Sequence, residues 1–212
     1  MRHDQLLTKW GAVVDNATSG IPTWTERLTF CYLAELASQS QRIIECGTFL
    51  GASAKVMLDA NPDLTLYCID TFAVHDEPFC YGYLDRIDTE RKLRRNQTTL
   101  ELCRDYSLKK EIDEGRCFLI VGDSEQGAAE LSRPPFASNL VVDAVWVDDG
   151  HAVVDLQRDI RCLMPFLEPG GLMVGHDWDQ PPNDVVEGVL SMLPENEITE
   201  PVPRLWHYRK PI

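Results

Sequence analysis

Short apolar runs alternate along this chain with segments of helical periodicity, and this alternation constrains the fold more than any other feature. Five runs have the composition of strands: residues 42–46, 64–70, 117–123, 144–150 and 171–177. Runs without polar alternation are typical of strands buried on both faces, and strands separated by helices pair in parallel. The sequence therefore predicts a doubly wound α/β fold, with a mostly parallel sheet between two layers of helices.

Helical segments separate the runs and follow them. The segments between the runs are residues 52–59, 88–106, 126–131 and 153–166. The last of these is predicted to end at Pro169 and the glycine pair after it, which turn the chain into the fifth strand. A helix at 183–193 and two weaker strands at 198–200 and 205–209 come next. The two weaker strands predict an antiparallel hairpin that closes the sheet edge and brings the sheet to seven strands.

The length and composition predict one domain, residues 1–212. A chain of 212 residues with 44% hydrophobic residues can bury one sizeable core. Helical patterns at 4–16 and 23–40 precede the first strand. We therefore expect residues 1–40 to form a helical cap on an α/β core of residues 41–212. The two N-terminal helices also offer an interface for a homo-oligomer.

The charge balance disfavours several classes of partner. The chain has 20 Lys and Arg against 34 Asp and Glu, and the net charge of −14 would repel nucleic-acid phosphates and anionic membrane surfaces. It begins without an apolar signal segment, and no stretch approaches the roughly 18 apolar residues that span a bilayer. The seven cysteines form no CxxC pair, which indicates reduced thiols in a core. We expect a soluble, cytoplasmic protein with a small-molecule partner.

The joint between the first strand and its helix, "ECGTFLGAS", carries two glycines four residues apart. In doubly wound sheets, ligands bind outside the carboxyl ends of the strands. Gly47 and Gly51 allow the backbone to approach a ligand closely, and the Ser53 hydroxyl is available for polar contacts. The joint lacks the GxGxxG pattern of dinucleotide sites, and Glu45 opposes a pyrophosphate but favours a cationic ligand. The alternative is a tight structural turn without a ligand.

The second and third strands also end in polar residues. Asp70 follows the glycines by about twenty residues, where a carboxylate can accept both hydroxyls of a ribose. Asp123 and Ser124 could hydrogen-bond an adenine edge, or they could cap the helix that begins near Gln126. The residues alone leave both interpretations of the third strand end open.

Acidic residues and histidines gather at the ends of the fourth and fifth strands, "VDDGH" and "GHDWD". Asp148 and Asp177 close neighbouring strands, so both carboxylates are expected in one cleft, with His151, His176 and Asp179 within reach. Carboxylates with a few imidazoles suit Mg²⁺, Mn²⁺ or Ca²⁺. The alternative is that one acid caps a helix while the histidines pack or face solvent.

Two stretches of the chain resemble a known family of enzymes. "IIECGTFLGASAKVML" resembles the first motif of the catechol O-methyltransferase group, and "DAVWVDDGHAVVDLQRDIRCLMPFLEPGGLMVGHDW" resembles its metal-site region. The chain is closer still to the macrocin O-methyltransferase-like family, and the resemblance covers residues 42–178. It implies a class I methyltransferase with a Rossmann-like fold and S-adenosylmethionine as cofactor.

The resemblance also implies roles for the strand-end residues. Glu45 and Gly47 would contact the methionine part of the cofactor, and Ser53 would contact its carboxylate. Asp70 would bind the ribose, and Asp123 and Ser124 would lie beside the adenine. Asp148 would also contact the cofactor. In this family Asp148 and Asp177 would be ligands of Mg²⁺ or another divalent cation that polarises a substrate hydroxyl.

Two positions depart from the catechol enzymes. Their lysine base, three residues after the first metal aspartate, is replaced by His151, whose unperturbed pKa of about 6.5 suits the same task. Their asparagine ligand is replaced by Trp178, which cannot bind a metal. His176 or Asp179 would then supply the third ligand, and His176 is the predicted one.

The predicted function is S-adenosylmethionine-dependent methyl transfer to a hydroxyl of a small molecule, assisted by a divalent metal, with His151 as general base. The acceptor could be a sugar, a natural product or a phenol, and aromatic residues of the long insertion could stack on it: Phe72, Phe79, Tyr81 and Tyr83. One alternative is a non-catalytic protein that binds S-adenosylmethionine or a nucleotide. Another is an NAD-dependent oxidoreductase, which Glu45 and the missing third glycine disfavour.

Overall fold

The structure is a computed structural model that describes residues 1–21, 23, 25–73, 98–136, 140–179 and 184–212. Its strands are Arg42–Cys46 (β1), Thr65–Asp70 (β2), Cys117–Val121 (β3), Val142–Val147 (β4), Leu167–Gly175 (β5), Ile198–Thr199 (β6) and Trp206–Arg209 (β7). They form one seven-stranded sheet in the order β3-β2-β1-β4-β5-β7-β6. Strands β1 to β5 are parallel, and β7 runs antiparallel to β5 and β6. The predicted fold class is confirmed.

Helices cover both faces of this sheet. They are His3–Ala17 (α1), Arg27–Ser38 (α2), Ala52–Ala60 (α3), Thr99–Leu102 (α4), Lys109–Asp113 (α5), Ser124–Leu131 (α6), Val153–Leu163 (α7) and Asp184–Leu190 (α8). A π-helical turn, Cys103–Ser107, joins α4 to α5. Most of the helix predicted at 88–106 lies outside the described residues, as do Phe79, Tyr81 and Tyr83 of the insertion.

Alternate residues of the central strands point to two separate hydrophobic clusters. On one face, Ile43 and Trp146 pack with buried residues of α1, α2 and α3, including Leu33. On the other face, Ile44 and Val145 pack with buried residues of α7 and α8. The strands are apolar on both faces because both faces are covered. The N-terminal helices, predicted as a cap, thus share the larger of the two clusters with the sheet.

The prediction for the start of the fifth strand needs a correction. Helix α7 ends at Leu163 and is followed by a 3₁₀ turn, Met164–Phe166. Pro165 lies in this turn, and because proline has no amide hydrogen it cannot continue the helical hydrogen bonding. Pro169 and the glycines after it lie inside β5, where the pairing with β4 shifts and the strand bulges.

The cysteines agree with the expected reduced state within the described part of the chain. The six described cysteines are free thiols, and five of them are buried: Cys31, Cys46, Cys68, Cys103 and Cys117. Cys162 is partly exposed, and Cys80 lies outside the described residues.

Among the described residues, no helix combines the length and the apolar character that crossing a membrane requires.

A close crossing of backbone fixes the ends of β1 and β4. The Gly47 amide donates to the Ile69 carbonyl at 2.9 Å, and the Asp148 amide donates to the Cys46 carbonyl at 2.8 Å. Gly47 has φ +93°, and a Cβ added there would lie 2.0 Å from the Asp148 carbonyl oxygen. Only glycine fits a position with both this dihedral angle and this contact.

We therefore expect Gly47→Ala to destabilise the fold by at least about 3 kcal/mol, because it combines a left-handed backbone with a backbone clash. The matched control is Gly115→Ala. Gly115 has φ +71° but no atom within 4 Å of an added Cβ, so the cost should be about 1 kcal/mol. Urea unfolding of both variants measures the difference. Equal losses would show that the crossing tolerates a side chain.

Candidate active site

A cavity of about 310 Å³ opens at the carboxyl ends of β1, β2, β4 and β5. Seven of the residues predicted for a site line it: Gly47, Ser53, Asp70, Asp148, His151, His176 and Asp177. Further lining residues with polar side chains were not assigned to the site from the sequence, and they include Thr48, Asp149 and Arg204. The predicted residues Glu45, Asp123 and Ser124 are not part of this wall. The convergence of strand ends at one edge is what a doubly wound sheet provides.

The first strand end places a buried acid directly behind the cavity wall. Glu45 is fully buried, and its Oε1 accepts a hydrogen bond from the Ser53 hydroxyl at 2.5 Å. Its Oε2 has no hydrogen-bond partner in the described part of the chain. Burial raises the pKa of Glu45 to about 7, although the Ser53 hydrogen bond lowers it. When ionised, this carboxylate creates a negative potential that favours a cationic ligand.

Thr48, between the two glycines of the joint, faces the cavity with a buried hydroxyl. Its Oγ1 has no partner of good hydrogen-bond geometry in the described ranges, although it lies near enough to Glu45 to lower the pKa of that carboxyl. A buried hydroxyl without a good partner is costly unless a ligand satisfies it. Thr48 is therefore a candidate ligand contact.

Asp70 holds two loops together at the end of β2. Its Oδ2 accepts from the Phe49 amide at 2.6 Å, and its Oδ1 accepts from the Phe72 amide at 2.5 Å. Both phenylalanines have positive φ, 49° each, so the two loops take conformations that Asp70 stabilises. Each carboxylate oxygen can accept a second hydrogen bond, and Asp70 lines the cavity. The predicted contact with ribose hydroxyls therefore remains available in addition to this structural role.

The third strand end shows the capping arrangement that the sequence had offered as an alternative. Asp123 Oδ1 accepts from the Gln126 amide at 2.9 Å, and Gln126 Oε1 accepts from the Asp123 amide at 3.1 Å. Ser124 is fully buried and donates to Asp159 Oδ1 at 2.5 Å. The contact of Asp123 and Ser124 with adenine stays a prediction.

Asp149 follows β4 and lines the cavity, but it was not predicted as a site residue. It is partly buried, and burial together with the nearby Asp70 raises its pKa. The signal in the sequence was present, because Asp149 is the second of two consecutive acids at the end of β4. Asp148, the first of the two, is the one that matches the family motif.

Asp177 joins two histidines at the ends of β4 and β5. The His151 Nε2 lies 2.7 Å from Asp177 Oδ2, and the His176 Nδ1 lies 3.1 Å from Asp177 Oδ1. Burial would raise the pKa of Asp177, but its hydrogen bonds to both histidines hold it well below its usual range. The same hydrogen bond raises the pKa of His151. His151 is thus an exposed imidazole that a carboxylate orients and makes more basic.

Asp148 lies beside this pair on the same wall. Its Oδ1 is 3.6 Å from His176 Nδ1. Burial raises the pKa of Asp148 to about 6, against the attraction of His176. For His176 burial opposes the charge, but Asp177, Asp148 and Glu26 outweigh it and raise the pKa to about 9. The predicted site residues of β4 and β5 are therefore brought together as one charged network.

Two residues far apart in sequence complete this network, and neither was predicted. The Arg204 guanidinium, from the segment before β7, donates to both Asp177 Oδ1 and Glu26 Oε1. Glu26 immediately precedes α2, and its Oε2 lies 3.0 Å from His176 Nε2. A single arginine in the stretch "PVPRL" carries no sequence signal for such a role.

The donors predicted for a metal lie close together but are already engaged. One ligand atom each from Asp148, His151 and Asp177 lies within 4.8 Å of the others. However, Asp177 Oδ2 accepts from His151, and Asp177 Oδ1 accepts from Arg204. Since guanidinium stays protonated, a divalent cation at Asp177 would be placed beside a fixed positive charge. In this arrangement the residues do not fit a divalent metal.

The other candidates for a third metal ligand do not change this result. His176 has Nε2 directed at Glu26 and Nδ1 directed at Asp177. Asp179 is exposed, and its Oδ1 lies 3.9 Å from Arg204 Nε. Trp178 packs against the hydrophobic cluster that the sheet forms with α7 and α8.

Comparison with known proteins identifies the class. The family model described as a methyltransferase domain matches residues 44–178. The chain belongs to this family of methyltransferases. No curated protein matches the sequence.

Solved structures similar to this chain have the same fold. The O-methyltransferase TomG from Streptomyces achromogenes, solved with SAM, is 18% identical with a TM-score of 0.61, over 99% of this chain and 99% of that chain. The methyltransferase PaMTH1 from Podospora anserina, bound to SAH, is 14% identical with a TM-score of 0.58, and the match covers 99% of this chain and 88% of that chain. CalS11, a TDP-rhamnose 3′-O-methyltransferase of calicheamicin biosynthesis, is 16% identical with a TM-score of 0.56, and the match covers 97% of this chain and 93% of that chain.

The buried Glu45 predicts a pH-dependent stability. Its folded pKa of about 7 lies above the unfolded value of about 4.3, so the folded chain holds this proton more tightly. The contribution of Glu45 to the free energy of unfolding therefore falls as pH rises from about 4.3 to about 7. Glu45→Gln should stabilise the ligand-free protein at about pH 8, by at most about 4 kcal/mol, and much less at about pH 5.

Urea unfolding of wild type and Glu45→Gln at both pH values measures this effect. Glu35→Gln is the control for a carboxylate on α2 whose pKa is lowered, since its hydrogen bonds to Lys9 and Trp10 outweigh its burial. That change should destabilise at both pH values. An equal effect of Glu45→Gln at the two pH values would mean that Glu45 does not titrate between them.

Proposed function

We propose that this protein is an S-adenosylmethionine-dependent O-methyltransferase that acts on a hydroxyl of a small molecule, with His151 as general base. The observation that carries the proposal is the His151–Asp177 pair on the wall of the cavity, 2.7 Å between Nε2 and Oδ2. An imidazole oriented by a carboxylate is a common arrangement for a general base. Membership of the methyltransferase family supplies the reaction class.

The side of the cavity at β1 and β2 supports S-adenosylmethionine as cofactor. The volume of the whole cavity, about 310 Å³, lies at the lower end of the range typical of ligand pockets, about 300–1,000 Å³. Glu45 suits a cation, the Thr48 hydroxyl is available to a ligand, and Asp70 has capacity for further hydrogen bonds. The structures of TomG with SAM and PaMTH1 with SAH support the same assignment by similarity.

In the proposed mechanism the chain positions the acceptor and removes its proton. The bound cofactor supplies an electrophilic methyl group, to which the acceptor oxygen bonds while the electron pair of the sulfur–carbon bond returns to sulfur. With Nε2 donating to Asp177, His151 uses Nδ1 to take the hydroxyl proton. Asp177 then stabilises the imidazolium. Asp148, on the same wall, can accept a hydrogen bond from a second polar group of the acceptor and hold the reacting hydroxyl near the methyl group.

The acceptor is proposed to be a hydroxylated small molecule, namely a sugar, a natural product or a phenol. CalS11 is described as acting on a rhamnose nucleotide, and TomG as involved in tomaymycin synthesis. Four aspartates line the cavity of this chain: Asp70, Asp148, Asp149 and Asp177. This concentration of carboxylates disfavours an acceptor that is anionic where it enters the cavity.

His151→Ala tests the role of the base. It should lower turnover by about 10²–10⁴-fold, the usual contribution of a general base, while leaving the affinity for S-adenosylmethionine nearly unchanged. Turnover is measured as S-adenosylhomocysteine release over a panel of sugars, phenols and macrolide glycosides, and affinity by calorimetry. His3→Ala, on the exposed start of α1, is the control and should behave as wild type.

The same experiment separates the alternatives. Lost cofactor affinity in His151→Ala would make His151 a structural or cofactor-binding residue. Binding of S-adenosylmethionine without transfer to any acceptor of the panel would favour the non-catalytic protein. Preferential binding of NADH would favour the oxidoreductase, for which the family membership offers no support.

A further inference from the structure

We propose that Arg204 takes the place of the divalent cation at the ends of β4 and β5, so that this chain holds Asp177 and His151 with an internal guanidinium and excludes a metal there. Its catalytic meaning rests on the proposed function, but the exclusion of metal does not. Arg204 is a positioning residue in this proposal, because it acts on the acceptor only through Asp177 and His151.

The guanidinium is held in a defined place and lines the cavity. Its Nη2 donates to Asp177 Oδ1 and its Nη1 donates to Glu26 Oε1. The Asp177 side chain is only 10% exposed and the Arg204 side chain 27%. An arginine between two carboxylates in a partly buried site makes charge-assisted hydrogen bonds, which are stronger than those of an exposed ion pair.

The backbone of Arg204 is also anchored on both sides. Its amide donates to Glu200 Oε1 at 3.2 Å, and its carbonyl accepts from the Trp178 amide at 3.1 Å. It has φ +67°, a left-handed conformation that is uncommon for a residue other than glycine. Leu205, the next residue, is fully buried. These contacts hold the backbone from which the guanidinium reaches Asp177.

The charges around Asp177 explain why a metal would not enter. Three carboxylates, those of Glu26, Asp148 and Asp177, face the guanidinium and the imidazoles of His151 and His176. In a metal site the oxygens of these carboxylates would coordinate the ion. Here Asp177 is shared by three nitrogen donors, and a divalent ion would have to displace a guanidinium that does not deprotonate.

The consequence for His151 follows from the way Asp177 divides its oxygens. Arg204 and His176 approach Oδ1, which leaves Oδ2 directed at His151 Nε2. A metal bound to Asp177 would withdraw negative charge from the carboxylate that orients the base. The guanidinium instead fixes the carboxylate through hydrogen bonds and keeps Oδ2 as the acceptor for His151.

The test is binding of Mn²⁺ to the full chain without cofactor, measured by electron paramagnetic resonance. Wild type should show no site at the cluster, and Arg204→Met should gain one that binds Mn²⁺ at least roughly tenfold more tightly than the remaining surface of the protein does. Arg204→Lys, which keeps the positive charge, should still exclude the ion. The double variant Arg204→Met with Asp177→Asn should lose the gained site. Arg161→Met, at an exposed position of α7, is the matched control and should resemble wild type.

Each outcome decides the proposal. A wild-type site that Asp177→Asn removes would overturn it, and so would an Arg204→Met protein that folds by circular dichroism but gains no site. Should Arg204→Met not fold, wild type and Asp177→Asn decide: a Mn²⁺ signal that Asp177→Asn removes overturns the proposal, and equal spectra without a site support it.

Methyl transfer separates this proposal from the proposed function. Wild-type turnover should be unchanged by EDTA and by added Mg²⁺. Transfer that requires Mg²⁺ would overturn the role of Arg204 while leaving the methyltransferase assignment intact. If no acceptor is methylated, the proposed function fails, and the Mn²⁺ measurements still decide whether Arg204 excludes a metal.

Discussion

The close crossing of β1 and β4 at Gly47 is the contact on which the rest of the site depends. The Asp148 amide donates to the Cys46 carbonyl, and the Gly47 amide donates to the Ile69 carbonyl, so the ends of three neighbouring strands lie level. Strands β2 and β3 are added to one side of β1, and β4 and β5 to its other side. A ligand cleft forms where the strand order reverses in this way. Helix α3, which follows β1, starts directly beside that cleft. The cavity is therefore a consequence of one backbone contact that only glycine permits.

Bringing strand ends level also brings carboxylates together, and this has an electrostatic cost. Burial raises the pKa of Glu45 to about 7 and that of Asp148 to about 6, which shows how unfavourable the charged forms become. The two sides of the cavity offset the cost differently. On the side of β4 and β5, the chain supplies its own cations in His176 and Arg204. Around Glu45 the described residues supply hydroxyl donors but no cation, so a cationic ligand is what that side lacks.

The sequence predicted the parts of this structure that depend on short-range pattern. The apolar runs gave the strands, and the acids at their ends gave most of the cavity wall, because both follow from position relative to a strand. The Asp123 and Ser124 contacts could not be settled, since a helix cap and a ligand contact use the same donor and acceptor groups. Glu26 and Arg204 could not be found at all. Their pairing joins residues 178 positions apart, and no local pattern marks either one.

Trp178 and Arg204 are best understood as one structural change relative to a metal-dependent site. Trp178 stands where the resemblance expects an asparagine ligand, and its side chain packs into the hydrophobic cluster below the sheet. Its amide donates to the Arg204 carbonyl at 3.1 Å, so the residue that cannot bind a metal is hydrogen-bonded to the residue that supplies the replacement charge. The Trp178 side chain is partly buried, and its backbone holds the segment before β7, which carries the guanidinium to Asp177. The segment of Trp178 and the segment of Arg204 are thus joined by one backbone hydrogen bond.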